Sequence, residues 1–194
     1  MQEAKEPIAL YGDNYTAKDY LSWSFDAMVE IIKGKVWKMS PAPRRTHQDI
    51  LRNITSSITN FLIGNPCKVY FAPFDVYLSK DEDFKKGKTV VQPDLCIICD
   101  ESKLHELGCI GAPDLIVEVL SPSTSKKDWN DKFNLYQEFG VKEYWIVSPE
   151  AKTIHVFTLE DGKYAEFGIH EKDAKFCGKL FPDMEIALEE VFKF

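Results

Sequence analysis

Two carboxylates stand where strand burial should exclude them. In the run Gly111-Ala112-Pro113-Asp114-Leu115-Ile116-Val117-Glu118-Val119-Leu120, strand alternation puts Asp114, Ile116, Glu118 and Leu120 on one face and Leu115, Val117 and Val119 on the other. A charge at Glu118 costs several kcal/mol unless it is paired, protonated or bound to a cation; the alternative is an edge strand with Glu118 facing water. A second acid, Asp94, opens the apolar stretch after Gln92-Pro93, where a proline is tolerated at a strand entry. Four strand residues span about 13 Å, whereas ligands of one Mg²⁺ each lie about 2.1 Å from it, so Asp114 and Glu118 do not share an ion. The segment from Asp100 to Pro113 suits an antiparallel return, which would lay Asp94 beside Glu118 on a strand about 4.8 Å away. Asp94 and Glu118 are therefore the expected metal ligands, with Asp114 left to a strand-start role near Ile98 to Asp100.

Such a pair repels itself, which raises one pKa in the metal-free protein, and a divalent cation removes that penalty. Hard oxygen donors suit Mg²⁺ or Mn²⁺ rather than zinc, and the ion can polarise a phosphodiester and generate hydroxide. Lys132, on the following helix, is the candidate source of positive charge near the attacking water; its other reading is an i, i+4 ion pair with Asp128. Cys96, Cys99, His105 and Cys109 approach a zinc-knuckle spacing. Alternation puts Cys96 and Cys99 on opposite faces, however, and Ile97-Ile98 is no turn, so these cysteines read as buried small hydrophobes. Ser121, Ser123 and Ser125 lack a nucleophile elbow, and no glycine-rich phosphate loop is present.

The elements that must position these residues follow from period and punctuation. Thr16 with Asp19 signals a helix start, with the helix running to about Phe25. Met28 to Met39 reads as a hairpin turning at Lys33-Gly34-Lys35. Pro41 and Pro43 end the hairpin, and Thr46 with Asp49 resembles a second cap pair, ahead of a helix with Ile50, Ile54, Ile58, Phe61 and Leu62 on one face. Gly64 and Pro66 stop that helix. Strands are expected at Val69 to Leu78, Val90 to Cys99 and Leu115 to Leu120, with a charged mobile loop or hairpin tip at Asp81 to Lys88. The turn Ser121 to Ser125 leads to a helix from about Lys126 to Phe139, closed by Gly140, with Trp129, Phe133 and Tyr136 as a buried stripe. An interior strand follows at Glu143 to Val147. Shorter strands near Thr153 to Thr158, Lys163 to Ile169 and Phe176 to Leu180 are expected in antiparallel pairs at an edge.

Length and charge narrow the class. At 194 residues, 44% hydrophobic and 28% charged, the chain reads as one α/β (α+β) globular domain over 1–194, with 1–15 a loosely ordered extension. No apolar run is long enough to span a membrane and no leader pattern is visible, so a soluble, cytoplasmic protein is expected. A net charge of −7 argues against nonspecific coating of nucleic acid. Ile31 to Asn53 nevertheless carries six bases against Asp49 alone, either as a solvated hairpin or as a local phosphate-facing patch. Five cysteines are too few for a disulfide scaffold and favour a reducing compartment.

The run Ala112 to Ser123, then Lys132, Tyr136, Gly140-Val141 and Glu143-Tyr144-Trp145-Ile146-Val147, with Gly34, Met39-Ser40-Pro41, His47 and Gln92-Pro93-Asp94 upstream, resembles the Uma-two family of the PD-(D/E)XK nuclease superfamily from about Thr16 to Glu189. The resemblance implies a restriction-endonuclease-like core, a central mixed sheet flanked by helices with antiparallel edge strands. It also implies a Mg²⁺-dependent endodeoxyribonuclease acting on nucleic acid, DNA above all, as a homodimer. Asp94 and Glu118 match the signature acids; Leu120 occupies the place of the signature lysine, and the helix lysine of relatives maps to Lys132. Glu30 and His47 are further candidates, since related nucleases add an acid from the N-terminal region; Glu30 otherwise reads as an exposed strand position. His47 stands at a helix start where the dipole disfavours its charged form; it reads either as a neutral imidazole orienting water or phosphate or as a helix-start histidine with no role. Tyr136 reads as core. The competing class is a nucleic-acid-binding or scaffold protein that keeps this fold without hydrolysis.

Overall fold

The computed structural model describes residues 12–24, 28–39, 44–121, 127–171 and 174–193. Pro41, Pro43, Phe25, most of the turn Ser121 to Ser125 and residues 1–11 of the expected extension lie outside them. In chain order the elements are α1 (Ala17–Ser22), β1 (Val29–Ile32), β2 (Lys35–Lys38), α2 (Arg45–Phe61), β3 (Lys68–Phe71), β4 (Val76–Tyr77), β5 (Val90–Val91), β6 (Leu95–Ile98), β7 (Leu104–His105), β8 (Gly108–Ile110) and β9 (Leu115–Val119). A π-helical turn (Lys127–Lys132) then continues into α3 (Phe133–Phe139), followed by β10 (Glu143–Ser148), β11 (Thr153–Glu160), β12 (Lys163–Glu171), β13 (Lys175–Phe176), β14 (Ile186–Ala187) and α4 (Leu188–Val191).

The principal sheet has the order β12-β11-β10-β9-β6-β3. Its β9–β10 pair is parallel, and the connection between them carries α3, as a parallel crossover requires; the other pairs are antiparallel. β9 is buried on both faces. On one side Leu115, Val117 and Val119 meet Ile50, Ile54 and Ile58 of α2, each isoleucine contributing about 1.5–3 kcal/mol by its burial. On the other, Ile116 meets Cys96, Leu135, Tyr136 and Tyr144. The mixed α+β architecture is the expected one, and Glu118 lies in an interior strand, not at an edge.

The segments expected as long strands are each broken. Val69 to Leu78 divides into β3 and β4 around Pro73, and Val90 to Cys99 into β5 and β6 around Pro93, because a proline gives no N–H to a ladder. The released halves build a second sheet, β2-β1-β5-β4-β8-β7, in which β7 and β8 come from the stretch read as a plain return loop. Asp81 to Lys88 carries a 3₁₀ turn capped by Asp83, with Phe84 against Tyr77. β13 pairs with β14 in a separate ladder, not at the principal edge.

Thr16 and Asp19 form the expected capping box of α1. Thr46 and Asp49 do not cap α2. Arg44 is its N-cap, without a side-chain bond, and Asp49 is taken by Arg52 at 3.0 Å. Gly34, at φ +82°, has Asn14 backbone 2.8 Å from where a Cβ would stand; its carbonyl accepts from the Asn14 and Tyr15 amides. Gly140, at φ +83°, ends α3. The pairing of Cys67 with Cys99 in a disulfide corrects the reading of Cys99 as a simple hydrophobe. Their neighbours Lys68 and Ile98 face each other across β3 and β6, which brings the two sulfurs together. Cys96 and Cys109 are buried and free, as expected.

Candidate active site

The β6–β9 register places Leu95 opposite Val117 and Cys96 opposite Ile116. The ladder ends at Leu95, and Asp94, the residue before β6, lies near enough to Glu118 for its charge to act on that carboxylate, as the antiparallel return requires. Asp94 Oδ2 accepts the Val119 amide at 2.7 Å. Asp114 lies at the other end, accepting the Cys99 amide and the Lys142 ammonium, each at 2.7 Å, apart from the pair.

Glu118 is satisfied by two donors on one oxygen. The Lys132 Nζ and the Tyr136 hydroxyl donate to Oε1 at 2.7 and 2.8 Å. Burial pushes its pKa up to about 8, with Lys132 pulling down and Asp94, Asp128 and Glu30 adding to the rise. Lys132 is buried too, yet Glu118, Glu30 and Asp128 around it hold its pKa well above the usual lysine value. It lies 3.2 Å from Glu30 and 3.9 Å from Asp128, so the i, i+4 pair exists as the weakest of three contacts.

Glu30 is buried, not exposed. β1 turns it inward, where Lys132, Lys127 and the Gln92 amide meet its carboxylate. Burial alone would raise its pKa, but the two lysines and these hydrogen bonds hold it below the ordinary range. Lys127 reaches Glu30 because residues 127–132 form a π-helical turn, not the regular helix the sequence suggests. At α-helical pitch, residues five apart point about 140° away from each other; the wider turn brings both lysines to one carboxylate, and such turns recur at functional sites.

His47 lies on the first turn of α2 with Nε2 3.2 Å from Asp94 Oδ2. Burial lowers its pKa, but the hydrogen bond and charge of Asp94 outweigh it and the net shift is upward. The helix terminus considered alone leaves out this carboxylate, whose contact pulls the other way. Tyr136 is core, as expected, and also supplies the hydroxyl to Glu118.

All five sequence candidates thus come to one place. Missed were Lys127, the Gln92 amide, and a network behind them in which Asp75 accepts from Tyr20, Tyr77 and the Gln92 side chain at 3.0, 3.2 and 2.7 Å. Lys127 carried one legible signal, a second lysine at the start of the helix bearing Lys132. A backbone amide carries none.

A divalent cation fits this donor set in one way. Among the described residues no group of three or more His, Cys, Asp or Glu side chains is arranged to hold a metal. The donors to Asp94 and Glu118 among those residues fall on Oδ2 and Oε1 respectively, leaving the second oxygen of each. Two carboxylates completed by water and phosphate oxygens is the coordination style of Mg²⁺, not of a structural cage.

A mixed sheet between helices, with paired acids on adjacent strands and a lysine from the next helix, defines a restriction-endonuclease-like nuclease fold. Residues 17–189 match the Uma2 family model, described as "Putative restriction endonuclease", and the chain belongs to that family. An uncharacterized protein of Synechocystis sp. is 25% identical over 147 residues, 74% of each chain. The crystal structure of a protein described as a "putative nuclease belonging to DUF820", from Anabaena variabilis, superposes with a TM-score of 0.72 at 19% identity, covering 91% of this chain and 97% of that one. No helix among the described residues is long and apolar enough to cross a membrane.

Proposed function

We propose that this protein is a Mg²⁺- or Mn²⁺-dependent endonuclease hydrolysing phosphodiester bonds, DNA being the expected substrate, with Asp94 and Glu118 as the metal ligands. The observation that carries this reading is the juxtaposition of Asp94 and Glu118 across β6 and β9 with the Lys132 ammonium 2.7 Å from Glu118. When bound, the cation would polarise the phosphodiester and acidify a coordinated water. Lys132 stays protonated, so it acts as a hydrogen-bond donor and a fixed positive charge beside the attacking water, not as a base. Glu30 holds Lys132 from the opposite side. His47 and the Val119 amide fix Asp94 Oδ2, so its other oxygen would be the one to hold the cation; Tyr136 would do the same for Glu118. A two-fold dimer that places two such sites on one duplex belongs to this proposal.

Titration calorimetry with Mn²⁺ tests it. Binding by the intact chain that disappears in Glu118→Ala is expected; no binding by the intact chain would favour a fold kept for nucleic-acid binding or scaffolding alone. Plasmid nicking in Mg²⁺ then assigns roles, and undiminished nicking by both Asp94→Ala and Lys132→Ala would refute them. Sedimentation velocity reads the dimer.

A further inference from the structure

We infer that Trp37 is a stacking platform for an unpaired nucleobase beside the scissile phosphate, so that the preferred substrate is single-stranded or locally unpaired nucleic acid. The inference rests on the nuclease reading above and names the substrate class of that same site. Trp37 lies directly across from Glu30 in the β1–β2 pair, and facing residues of an antiparallel pair share a face. Glu30 is 1% exposed and turned into the site, whereas Trp37 is 38% exposed, which sets the indole at its rim. A tryptophan left this open is unusual, since burying such a ring is among the largest apolar gains available to a chain.

The surroundings of the ring point to a nucleotide rather than a protein partner. The Lys127 Nζ lies 5.5 Å from the indole centroid and ion-pairs with Glu30, so one ammonium ties the ring to the catalytic cluster. Lys35, two residues before Trp37 on β2 and so on the same face, is exposed and forms no ion pair with a described residue. An aromatic face interleaved with cations is the pattern by which proteins hold single strands, the bases stacking while the cations track phosphates. Bases inside a duplex are already stacked and cannot lie on an indole unless extruded.

Fluorescence anisotropy of a labelled single strand, an abasic strand of equal length and the corresponding duplex, with the full chain in Ca²⁺, tests the inference independently of turnover. The single strand is expected to bind more tightly than the abasic strand. Trp37→Ala should weaken single-strand binding by about tenfold or more, the scale of one base stack, while leaving the abasic strand unaffected. Trp37→Phe should retain most of the affinity, which separates stacking from loss of fold. Equal single-strand binding by Trp37→Ala and the parent would overturn the inference and leave the nuclease reading standing. Failure of the parent to bind any of the three would refute both.

Discussion

Replacing Lys132 with methionine removes the one buried cation that three carboxylates share. The Lys132 ammonium lies 2.7 Å from Glu118, 3.2 Å from Glu30 and 3.9 Å from Asp128, with its side chain 6% exposed. Methionine fills a similar volume, so the packing loss is small and the uncompensated charge dominates. Breaking a buried pair by deleting one partner costs about 3–5 kcal/mol, which for a chain of this size lowers the melting midpoint by about 6–20 °C at 2–4 °C per kcal/mol. Urea and thermal melts followed by circular dichroism measure the loss. It should shrink when Glu30→Gln is added, by a coupling of about 0.5–3 kcal/mol. Saturating Mn²⁺ should also reduce it, by the extent to which the variant binds the cation more tightly than the parent, since a cation held by Glu118 supplies the missing charge. A Lys132→Met protein within about 1 kcal/mol of the parent, the range of an exposed pair, would refute the account of Lys132 as the keystone of a buried charge cluster.

Three further outcomes are expected. His47→Ala should weaken Mn²⁺ binding by about 10–100-fold, the usual cost of losing a partner behind a ligand, with calorimetry as the readout. Glu143 is buried with its carboxylate accepting from Trp145 and the Leu180 amide, and burial, only partly offset by these hydrogen bonds, raises its pKa. For a raised acid the stabilising contribution is present below the ordinary carboxylate range and lost as pH rises through the folded value. The parent should therefore lose stability relative to Glu143→Gln as pH rises above the ordinary carboxylate range, and parallel pH profiles of unfolding free energy would contradict this. Reducing the Cys67–Cys99 bond, which joins residues 32 apart, should cost about 3–4 kcal/mol on the chain-entropy account. Thiol titration of the unfolded, unreduced chain should find three free groups, and five would exclude the bond.

The two central acids were legible because alternation and loop length are both local counts: alternation puts Glu118 among buried neighbours, and the length of 100–113 turns the chain back beside Asp94. The same arithmetic excluded Asp114. Glu30 was legible only through the family resemblance, since nothing in Val29-Glu30-Ile31-Ile32 says which neighbour turns a carboxylate inward. The second sheet escaped notice because two-residue strands such as β4 and β5 have no period to read. The partner of His47 escaped notice because the helix end is visible in sequence and the contact with Asp94, 47 residues away, is not. Alternation gave the face of Cys99 correctly but could not name Cys67 as its partner.

The π-helical turn at 127–132 has a consequence for how this protein tolerates shortening. Deleting a single residue between Asp128 and Asp131 would let the segment relax to ordinary α geometry at little cost to α3, whose own buried Leu135 and Tyr136 stay in register with β9 and β10. Lys127 would then stand four residues before Lys132, about 40° away around the axis, and would still face Glu30 and the Trp37 ring. One missing residue would thus leave the rim of the cleft joined to its floor, and the extra residue of the wide turn is spare length that the segment could lose with both lysines still in reach of one carboxylate.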